Sequence, residues 1–386
     1  MRITTIKSHV LQYELDEPLG YSQQYFTKRT AHLVEVSTDE GITGWGECFG
    51  AGPVALANRT IVEAVIQPMI IGRDPFDREA IWHHVYNMLR DHGQKGMPIQ
   101  AVSGVDIALW DIAGKVLGQP LWRLLGGRCR DRIPVYGYGM MLQPVADLEA
   151  RFAAEAAAIE AMGFTAMKMK VGHGVKADIG LVEATRRAIR PETRLMVDAN
   201  HCYTTADAFA VGRALEDLDI FWFEEPVAPE DRDGYRRLRD GLRLNIAGGE
   251  AEFTRYGWRD LLAGGCLDIA QPEVCGLGGI SEFQKVHALC QSHFVPVINH
   301  VWGSSIAVAV NLHLLTAQPP MPGGLHPFEP MLEFDTTPNR FRDDLASEPL
   351  AIQKQVENNA GTAAAPQRPG IGVEPDPAFL RHYAVG

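Results

Sequence analysis

The sequence predicts an α/β protein in which a (β/α)8 barrel, a modified TIM barrel, carries an N-terminal α+β capping domain. Three observations lead to this prediction. Strand-like and helix-like segments alternate from about residue 132 onward, as is typical of parallel βαβ units. Eight strand-like segments fall within about 200 residues, which favours a closed barrel over an open sheet. The first 125 residues instead begin with segments typical of antiparallel strands and continue with helices.

The capping domain is predicted for residues 1–125. The stretches ITTIKSHVLQYEL and AHLVEVSTDEGITGWGEC are typical of antiparallel strands, with the letters DEG forming a turn. Helices are expected at about 54–71, 76–92 and 98–117. The C-terminal tail, residues 336–386, is rich in proline and glycine, and we expect it to pack back onto the capping domain.

The barrel is predicted for residues 126–335. Its strands are expected at 132–140, 164–171, 194–200, 220–226, 243–250, 266–273, 295–300 and, more weakly, 330–335. Amphipathic, alanine-rich stretches such as 147–163 separate them. A doubly wound sheet is the alternative, but no strand is followed by a dinucleotide-binding glycine motif. The glycine-rich VCGLGG at 274–279 fits neither that motif nor a P-loop.

Composition narrows the class of partner. The formal net charge of −12 argues against nucleic acid or an anionic membrane as a partner, because both require a basic surface. The six cysteines show no CxxC spacing, which fits reduced thiols. The N-terminus lacks the apolar segment of a signal peptide, and no run of about 18 apolar residues occurs. We therefore expect a cytoplasmic protein without a membrane partner.

Each predicted strand from the second to the seventh ends in an ionisable residue. In chain order these residues are Lys170, Asp198, Glu224, Glu250, Glu273 and His300. The intervals are 28, 26, 26, 23 and 27 residues, each about one β/α unit. Any one acid could be only the N-cap of the following helix. Six residues in matching register instead predict one shared site, because the carboxyl ends of barrel strands meet at one mouth.

Three of these residues are carboxylates on adjacent strands. Asp198, Glu224 and Glu250 would bring three negative charges together, which is costly unless a cation neutralises them. Ligands that are all oxygen favour a hard ion such as Mg2+, whereas zinc would usually recruit His or Cys. Asn200, two residues after Asp198 and expected on the same strand face, is a candidate partner of the metal ligands and of the substrate.

Lys168 and Lys170 alternate with methionines in MKMKVG, so they share one face of a strand. The ordinary interpretation is an edge strand with a solvated lysine face. Close to each other and to a divalent cation, the two ammonium groups would instead have pKa values shifted toward neutrality, and one could act as a general base. His300 can serve as the opposing acid or base, with Glu273 orienting its ring.

These motifs resemble the enolase superfamily, and within it the mandelate racemase group. KMK, VDAN, FEEP, GGE, QPE and INH fall where that family places its base, metal ligands and histidine dyad. The resemblance implies removal of the proton α to a carboxylate that is bound to Mg2+, through an enediolate. It also implies that Glu333 hydrogen-bonds the substrate carboxylate. One departure is Glu273, where the group commonly has Asp.

Further stretches, including LRDHGQKGM at 89–97 and HVWG at 300–303, resemble sugar-acid lactone cycloisomerases of this family. Loops at 20–29 and 48–53 are expected to cover the mouth. The candidate substrate contacts are Tyr21, Tyr25 and Arg29 in the first of these loops, and Trp302 in HVWG. Acid-sugar dehydration and racemisation remain open, because all three reactions begin with the same proton removal. A metal-binding barrel without catalysis is a further alternative. The resemblance also implies a homo-oligomer.

Overall fold

The computed structural model describes residues 1–385. The chain begins with an antiparallel sheet in the order β1-β2-β3, formed by Ile3–Tyr21, Gln24–Thr38 and Thr43–Cys48. Gly41 has a φ of 78° in the turn between β2 and β3, as the DEG signal predicted. The prediction of a loop at residues 20–29 is wrong. Tyr21, Tyr25 and Phe26 take part in the ladder that extends β1 and β2 through this stretch, and only Ser22 and Gln23 are left in the turn.

Helices follow this sheet. They are α1 Pro53–Thr60, α2 Gln67–Ile70, α3 Arg78–Leu89, α4 Met97–Leu117 and α5 Leu121–Leu124, with a π-helical segment Ile61–Ile66 between α1 and α2. The long helix α4 lies directly on β3. A Cβ at Gly46 would lie 1.9 Å from Gly104 O, so only glycine permits this approach. The buried face of α4 and the sheet share one hydrophobic cluster.

A parallel sheet forms the second body of the fold, in the order β10-β4-β5-β6-β7-β8-β9. Its strands are β4 Ile133–Tyr138, β5 Ala166–Lys170, β6 Arg194–Asp198, β7 Ile220–Glu224, β8 Asn245–Gly248, β9 Ile269–Ala270 and β10 Leu332–Asp335. The helices between them are α6 Leu148–Ala161, α7 Val175–Ala188, α8 Thr205–Asp217, α9 Arg232–Gly241, α10 Thr254–Ala263, α11 Gly279–Ser292 and α12 Ser305–Ala317. The predicted α/β barrel with an α+β cap is confirmed.

The seventh strand, expected at 295–300, is not formed as a regular strand. This segment makes two isolated parallel bridges, Ala270 with Val297 and Glu273 with His300. Pro296 cannot donate a backbone hydrogen bond, although its carbonyl accepts from the Ala270 N–H at 2.9 Å. Within residues 1–385, the only strand paired with β10 is β4. The segment therefore lies beside β9 through isolated bridges, without a continuous ladder.

The alternation in MKMKV separates two environments. Met167, Met169 and Val171 belong to the large core that includes residues of the surrounding helices. Lys168 and Lys170 point to the other side and are 0% and 5% exposed. The edge-strand interpretation is wrong, because β5 is paired with β4 on one side and β6 on the other.

The C-terminal tail contacts both bodies. Its elements are α13 Arg340–Asp343, α14 Ile352–Asn358, β11 Thr362–Ala363 and α15 Pro377–Tyr383. β11 pairs with the start of β4, whereas Ala384 forms a bridge with Leu11 of β1. The domain boundaries 1–125, 126–335 and 336–386 stay a prediction. In the part of the chain that the structure describes, no helix has the length and apolarity needed to cross a membrane.

Candidate active site

Two lysine side chains of β5 reach the carboxylates on the neighbouring strands. Lys170 Nζ lies 2.5 Å from Asp198 Oδ2. Lys168 Nζ lies 2.6 Å from Glu224 Oε1 and 2.7 Å from Glu333 Oε1. The ring of Tyr138, a residue that the sequence analysis did not single out, lies 5.1 Å from Lys168 Nζ and 5.0 Å from Lys170 Nζ. The lysines are therefore ion-pair partners inside the barrel.

The three predicted metal ligands lie together at the same mouth. Asp198 and Glu224 end β6 and β7 and are paired in the ladder between those strands. Glu250 follows β8 by two residues, after a turn in which Gly249 has a φ of 119°. One carboxylate oxygen of each residue lies within 4.8 Å of the others. This spacing allows one cation to contact all three carboxylates.

The carboxylates around Lys168 and Lys170 determine the direction in which the pKa values of the two lysines shift. Burial lowers the pKa of the Lys170 ammonium, but the adjacent Asp198 carboxylate, together with Tyr138 and Glu250, outweighs burial, so the pKa is raised. The pKa of Lys168 is also raised, because Glu224 and Glu333 oppose the effect of burial. Both directions come from the carboxylates that contact the lysines. The predicted shift toward neutrality concerns lysines beside a bound divalent cation, which would neutralise these carboxylates, so it stays a prediction.

The pKa values of Asp198 and Glu224 shift in opposite directions, although each carboxylate contacts a lysine. Burial and the charge of Asp198 raise the pKa of Glu224. Burial acts in the same direction on Asp198, but Lys170 and Lys168 hold its pKa well below the usual range. Asp198 is thus an ionised partner of lysine. The surroundings of Glu224, in contrast, favour its protonated form.

Asn200 was expected on the same strand face as Asp198, but β6 ends at Asp198 and Asn200 has a φ of 40°. The change of direction still places it against the cluster. Its backbone N–H donates to Asp198 Oδ1 at 2.9 Å, and its Nδ2 lies 3.5 Å from Glu250 Oε1. The contact with the carboxylates was predicted correctly, although the strand geometry behind it was not.

Glu273 and His300 form a hydrogen-bonded pair on the other side of the cluster. His300 Nδ1 lies 2.7 Å from Glu273 Oε2, and His300 Nε2 lies 3.0 Å from Glu250 Oε2. Burial lowers the pKa of the His300 imidazole, but Glu250 and Glu273 outweigh it and raise the pKa to about 10. The extra methylene of Glu273, relative to Asp, leaves this contact intact.

Glu333 lies at the boundary between the lysine side and the histidine side. Its Oε1 contacts Lys168, and its Oε2 accepts from the Val301 N–H at 2.9 Å. Burial raises the pKa of this carboxyl, but Lys168, His300 and the Val301 N–H together outweigh burial and lower the pKa. The carboxylate is 1% exposed. Both of its oxygens have protein partners, so any contact with a substrate would be made in addition to these.

The four predicted substrate contacts occupy different positions. Arg29 is buried, forms an ion pair of 2.8 Å with Asp335 and lies over the ring of Trp302 at 4.7 Å. Trp302 also packs edge-on against Tyr138 in the inner barrel. Tyr25 is 47% exposed, and its hydroxyl lies 3.3 Å from a ring nitrogen of His173. Arg29 is therefore buried with its charge paired, and a contact with the substrate stays a prediction for these four residues.

The hairpin turn between β1 and β2 reaches the mouth of the barrel. Ser22 Oγ donates to Asn200 O at 2.9 Å, and Gln23 Nε2 donates to the same oxygen at 3.0 Å. Tyr21 precedes this turn, and its hydroxyl accepts from Gln24 Nε2 at 3.0 Å. A hairpin tip therefore lies where a covering loop was expected. It is hydrogen-bonded to Asn200, the residue that contacts Asp198 and Glu250.

Sequence reasoning missed two further sets of residues. Gln271 Nε2 and Trp222 Nε1 both donate to Glu224 Oε2, at 2.6 and 2.9 Å. Gln271 is the first letter of QPE, a motif whose Glu alone was considered. His201 Nδ1 lies 2.8 Å from Glu225 Oε2, which makes a second histidine–carboxylate pair beside the metal ligands. The only signal in the sequence was that His201 directly follows VDAN and that Glu225 belongs to FEEP.

Comparison with known families agrees with this geometry. Residues 3–126 match the family described as Mandelate racemase / muconate lactonizing enzyme, N-terminal domain. Residues 151–379 match the family described as Enolase C-terminal domain-like. The chain belongs to the enolase superfamily. The match to the N-terminal domain places it in the mandelate racemase group, as the motifs had indicated.

Individual relatives span nearly the whole chain. A D-galactarolactone cycloisomerase of Agrobacterium fabrum is 42% identical over 374 residues, which are 97% of this chain and 96% of that protein. An arabinonate dehydratase of Saccharolobus solfataricus is 32% identical over 88% of this chain and 86% of that protein. The relatives of this superfamily member therefore include isomerases and lyases that act on sugar acids or their lactones.

Solved structures of the same superfamily agree in fold. The 3,6-anhydro-D-galactonate cycloisomerase of Zobellia galactanivorans has a TM-score of 0.87 and 34% identity, with 100% of both chains covered. A racemase of Streptomyces coelicolor with bound magnesium has a TM-score of 0.88 and 30% identity, with 99% of this chain and 100% of that chain covered. A magnesium ion is thus present in a structure very similar to this one.

Proposed function

We propose that this protein is a Mg2+-dependent enzyme that removes the proton α to the carboxylate of a sugar acid or its lactone. The observation that carries the proposal is the arrangement of basic groups around the acidic triad. Lys170 contacts Asp198 at one end of the triad, and His300 contacts Glu250 at the other. A substrate held at the triad would have a proton acceptor on each side.

The donor set suits Mg2+. Three carboxylates from three consecutive β/α units offer oxygen atoms within 4.8 Å of one another, with no His or Cys in the group. Glu224 is held in place by Gln271 and Trp222, so its orientation does not depend on the ion. A bound Mg2+ would hold the substrate carboxylate and stabilise the negative charge that develops there when the proton leaves.

The residues of the chain divide the remaining work. Lys170 and His300 take or return the proton on opposite faces of the α-carbon. Glu273 orients the imidazole through Nδ1, which leaves Nε2 directed toward Glu250 and the site. Lys168 compensates the negative charge of Glu224 and Glu333, and the hairpin tip at Ser22 limits access of water.

Lactone cycloisomerisation is the reaction that we favour. In that reaction the α-proton is removed and the C–O bond of the ring breaks at the β-carbon. The ring oxygen leaves with the bonding electrons, and a 3-deoxy-2-keto acid forms after tautomerisation. The similarity to a D-galactarolactone cycloisomerase over 97% of this chain supports the choice. Acid-sugar dehydration, in which a β-hydroxyl leaves as water, is the alternative, because an arabinonate dehydratase is also a relative.

A direct assay tests both reactions. The purified protein is incubated in D2O with D-galactarolactone, arabinonate or galactonate, with Mg2+ or with EDTA. The 2-keto acid is examined for deuterium at C3, and the recovered substrate is examined for deuterium at the α-carbon. We expect product from the lactone only when Mg2+ is present. Product from the open acids alone would favour the dehydratase. Absence of both product and exchange with every substrate would contradict the proposal.

Two expectations from the sequence stay predictions. The first is a homo-oligomeric assembly, which sedimentation analysis of the purified protein would test. The second is a cytoplasmic location, which fractionation of cells that express the full chain would test.

A further inference from the structure

The segment that carries His300 is held differently from the other strands of the barrel. β5 and β6 are paired at five successive positions, whereas residues 295–300 make two isolated bridges. One of these bridges joins Glu273 to His300 itself. The segment contains Pro296, which has no N–H to donate. The position of His300 therefore depends on contacts other than a backbone ladder.

Buried carboxylates from distant parts of the chain supply such contacts. Glu273 contacts His300 Nδ1 at 2.7 Å, and its other oxygen accepts from the Cys275 N–H at 2.8 Å. Glu333 accepts from the N–H of Val301, the residue that follows His300. Each of these carboxylates is 1% exposed. Hydrogen bonds to a charged acceptor are stronger than neutral ones, so they can fix a turn that lacks a ladder.

A third carboxylate comes from the antiparallel sheet at the N-terminus. Glu47 of β3 is 3% exposed, and its Oε1 accepts from the Ser304 N–H at 2.9 Å. Its Oε2 accepts from the Ser304 hydroxyl at 2.7 Å and from the Ala307 N–H at 3.1 Å. These donors lie at the start of α12, where a negative charge is also favoured by the helix dipole. A Cβ at Gly303 would lie 2.7 Å from Glu47 Oε1, so the turn fits closely around the carboxylate.

The end of β3 contacts the histidine pair from a second direction. The Phe49 N–H donates to Cys275 O at 2.8 Å, and Cys275 in turn donates to Glu273. The ring of Phe49 meets the His300 ring edge-on, with centroids 5.7 Å apart. Glu47 and Phe49 are two residues apart, and between them they contact the turn after His300 and the turn after Glu273.

We propose that Glu47 is a positioning residue for His300, through which the capping sheet fixes the place of the imidazole. The inference rests on the proposed function, in which His300 exchanges a proton with the α-carbon. Glu47 acts through Ser304 and the backbone of residues 301–304, and it does not touch the reacting atoms. A displacement of about 1 Å at a catalytic group can reduce the rate about 10²-fold.

The first test compares Glu47→Gln with Glu35→Gln in the full chain with Mg2+. Gln keeps the size of the side chain but turns an NH2 group toward donors that need an acceptor. Glu35 lies in β2 of the same sheet, pairs with His9 and is absent from the contacts of residues 295–304. With D-galactarolactone we expect kcat of Glu47→Gln to fall about 10²-fold at nearly constant KM. Glu35→Gln should resemble the unchanged protein.

A double variant separates positioning from general destabilisation. If Glu47 acts through the imidazole, adding Glu47→Gln to His300→Asn produces no further loss of α-proton exchange. A further loss of the full size seen in the single variant would overturn the inference. So would an unchanged kcat in Glu47→Gln.

The second test needs no substrate. Amide hydrogen exchange of the Mg2+-loaded protein should be faster in Glu47→Gln at residues 301–307, and unchanged at β5 to β7 and in Glu35→Gln. Unchanged exchange at 301–307 would overturn the inference. If Glu47→Gln does not fold, Ser304→Ala removes one donor and should show a smaller effect in the same direction. Faster exchange in a protein that turns over no sugar acid would support the positioning role while contradicting the proposed function.

Discussion

The two sides of the barrel mouth hold their ionisable groups by different means. On the lysine side, Lys170, Asp198 and Glu224 occupy adjacent positions of paired ladders, so the backbone sets their spacing. On the histidine side, His300 ends a segment with two isolated bridges and depends on side-chain contacts. The same mouth thus combines a side fixed by backbone pairing with a side fixed by buried carboxylates.

This difference predicts how the two sides respond to substitution. On the lysine side, a substitution changes the charge in a cluster whose geometry is already determined. On the histidine side, a substitution changes the position of a group that has little backbone pairing of its own. Charge substitutions should therefore affect metal binding and stability, whereas substitutions around His300 should affect one catalytic step.

Replacing a metal ligand on the lysine side is expected to have the largest effect. Asp198→Asn should abolish measurable Mg2+ binding and reduce turnover at least about 10³-fold, because the ion supplies several kcal/mol of charge stabilisation. Asp268→Asn is the matched control, since Asp268 directly precedes β9 and so lies at the opposite end of the barrel strands. Calorimetric titration with Mg2+ and the lactone assay measure the two effects. Normal Mg2+ affinity in Asp198→Asn would contradict the predicted site.

The second largest effect is expected on stability, from loss of the buried charge of Lys168. Lys168→Met should lower the free energy of unfolding by about 3–5 kcal/mol in EDTA, because Glu224 and Glu333 lose their buried counter-charge. Mg2+ should recover part of this loss, since it neutralises the same carboxylates. The exposed Lys176 offers a control, Lys176→Met, with little expected change. The comparison is made by urea unfolding with and without Mg2+. An equal loss of unfolding free energy in both conditions would contradict the idea that Mg2+ and Lys168 neutralise the same carboxylates.

A smaller and more selective effect is expected on the histidine side. Glu273→Gln should slow the step performed by His300 about 10- to 100-fold, because the imidazole loses the carboxylate that orients it. The step performed by Lys170 should remain nearly intact in the same protein and serves as an internal control. Rates of α-proton exchange for substrates of opposite α-configuration separate the two steps. Equal slowing of both would mean that Glu273 acts on the whole site.

The smallest effect is expected at the hairpin tip. The Tyr25 side chain is about half exposed and its hydroxyl contacts His173 alone among its hydrogen-bond partners in residues 1–385. Tyr25→Phe should change stability by less than about 0.5 kcal/mol and leave KM unchanged. Tyr21→Phe is the companion variant on the other strand of the hairpin. A large rise in KM for either variant would restore the predicted role of that tyrosine in substrate binding.

The lysine side was predictable because its information is local and periodic. Ionisable residues recur at the spacing of a β/α unit, and parallel strands bring their carboxyl ends together. The strand face of Lys168 and Lys170 also followed from alternation with Met167 and Met169. Family motifs then supported the assignment that spacing had suggested.

The remaining features depend on contacts between distant parts of the chain. Nothing near Arg29 in the sequence indicates that it pairs with Asp335, more than 300 residues away. The raised pKa of the lysines required knowledge of which carboxylates touch them, and the turn at Asn200 required its left-handed backbone. Glu47 stands in the sequence only as one letter of a strand-like stretch, and its partner Ser304 is 257 residues away.

The division of work between the two sides of the mouth decides how this site would act on a substrate. The most direct measurement is α-proton exchange in D2O for a single stereoisomer of the substrate, compared in Lys170→Ala and His300→Asn. We predict that one variant loses exchange, with the reduction of about 10²–10⁴-fold expected for a general acid or base. The other variant should retain exchange and fail to complete turnover. Equal and total loss of exchange in both variants, with Mg2+ bound and the fold intact, would contradict the two-sided arrangement.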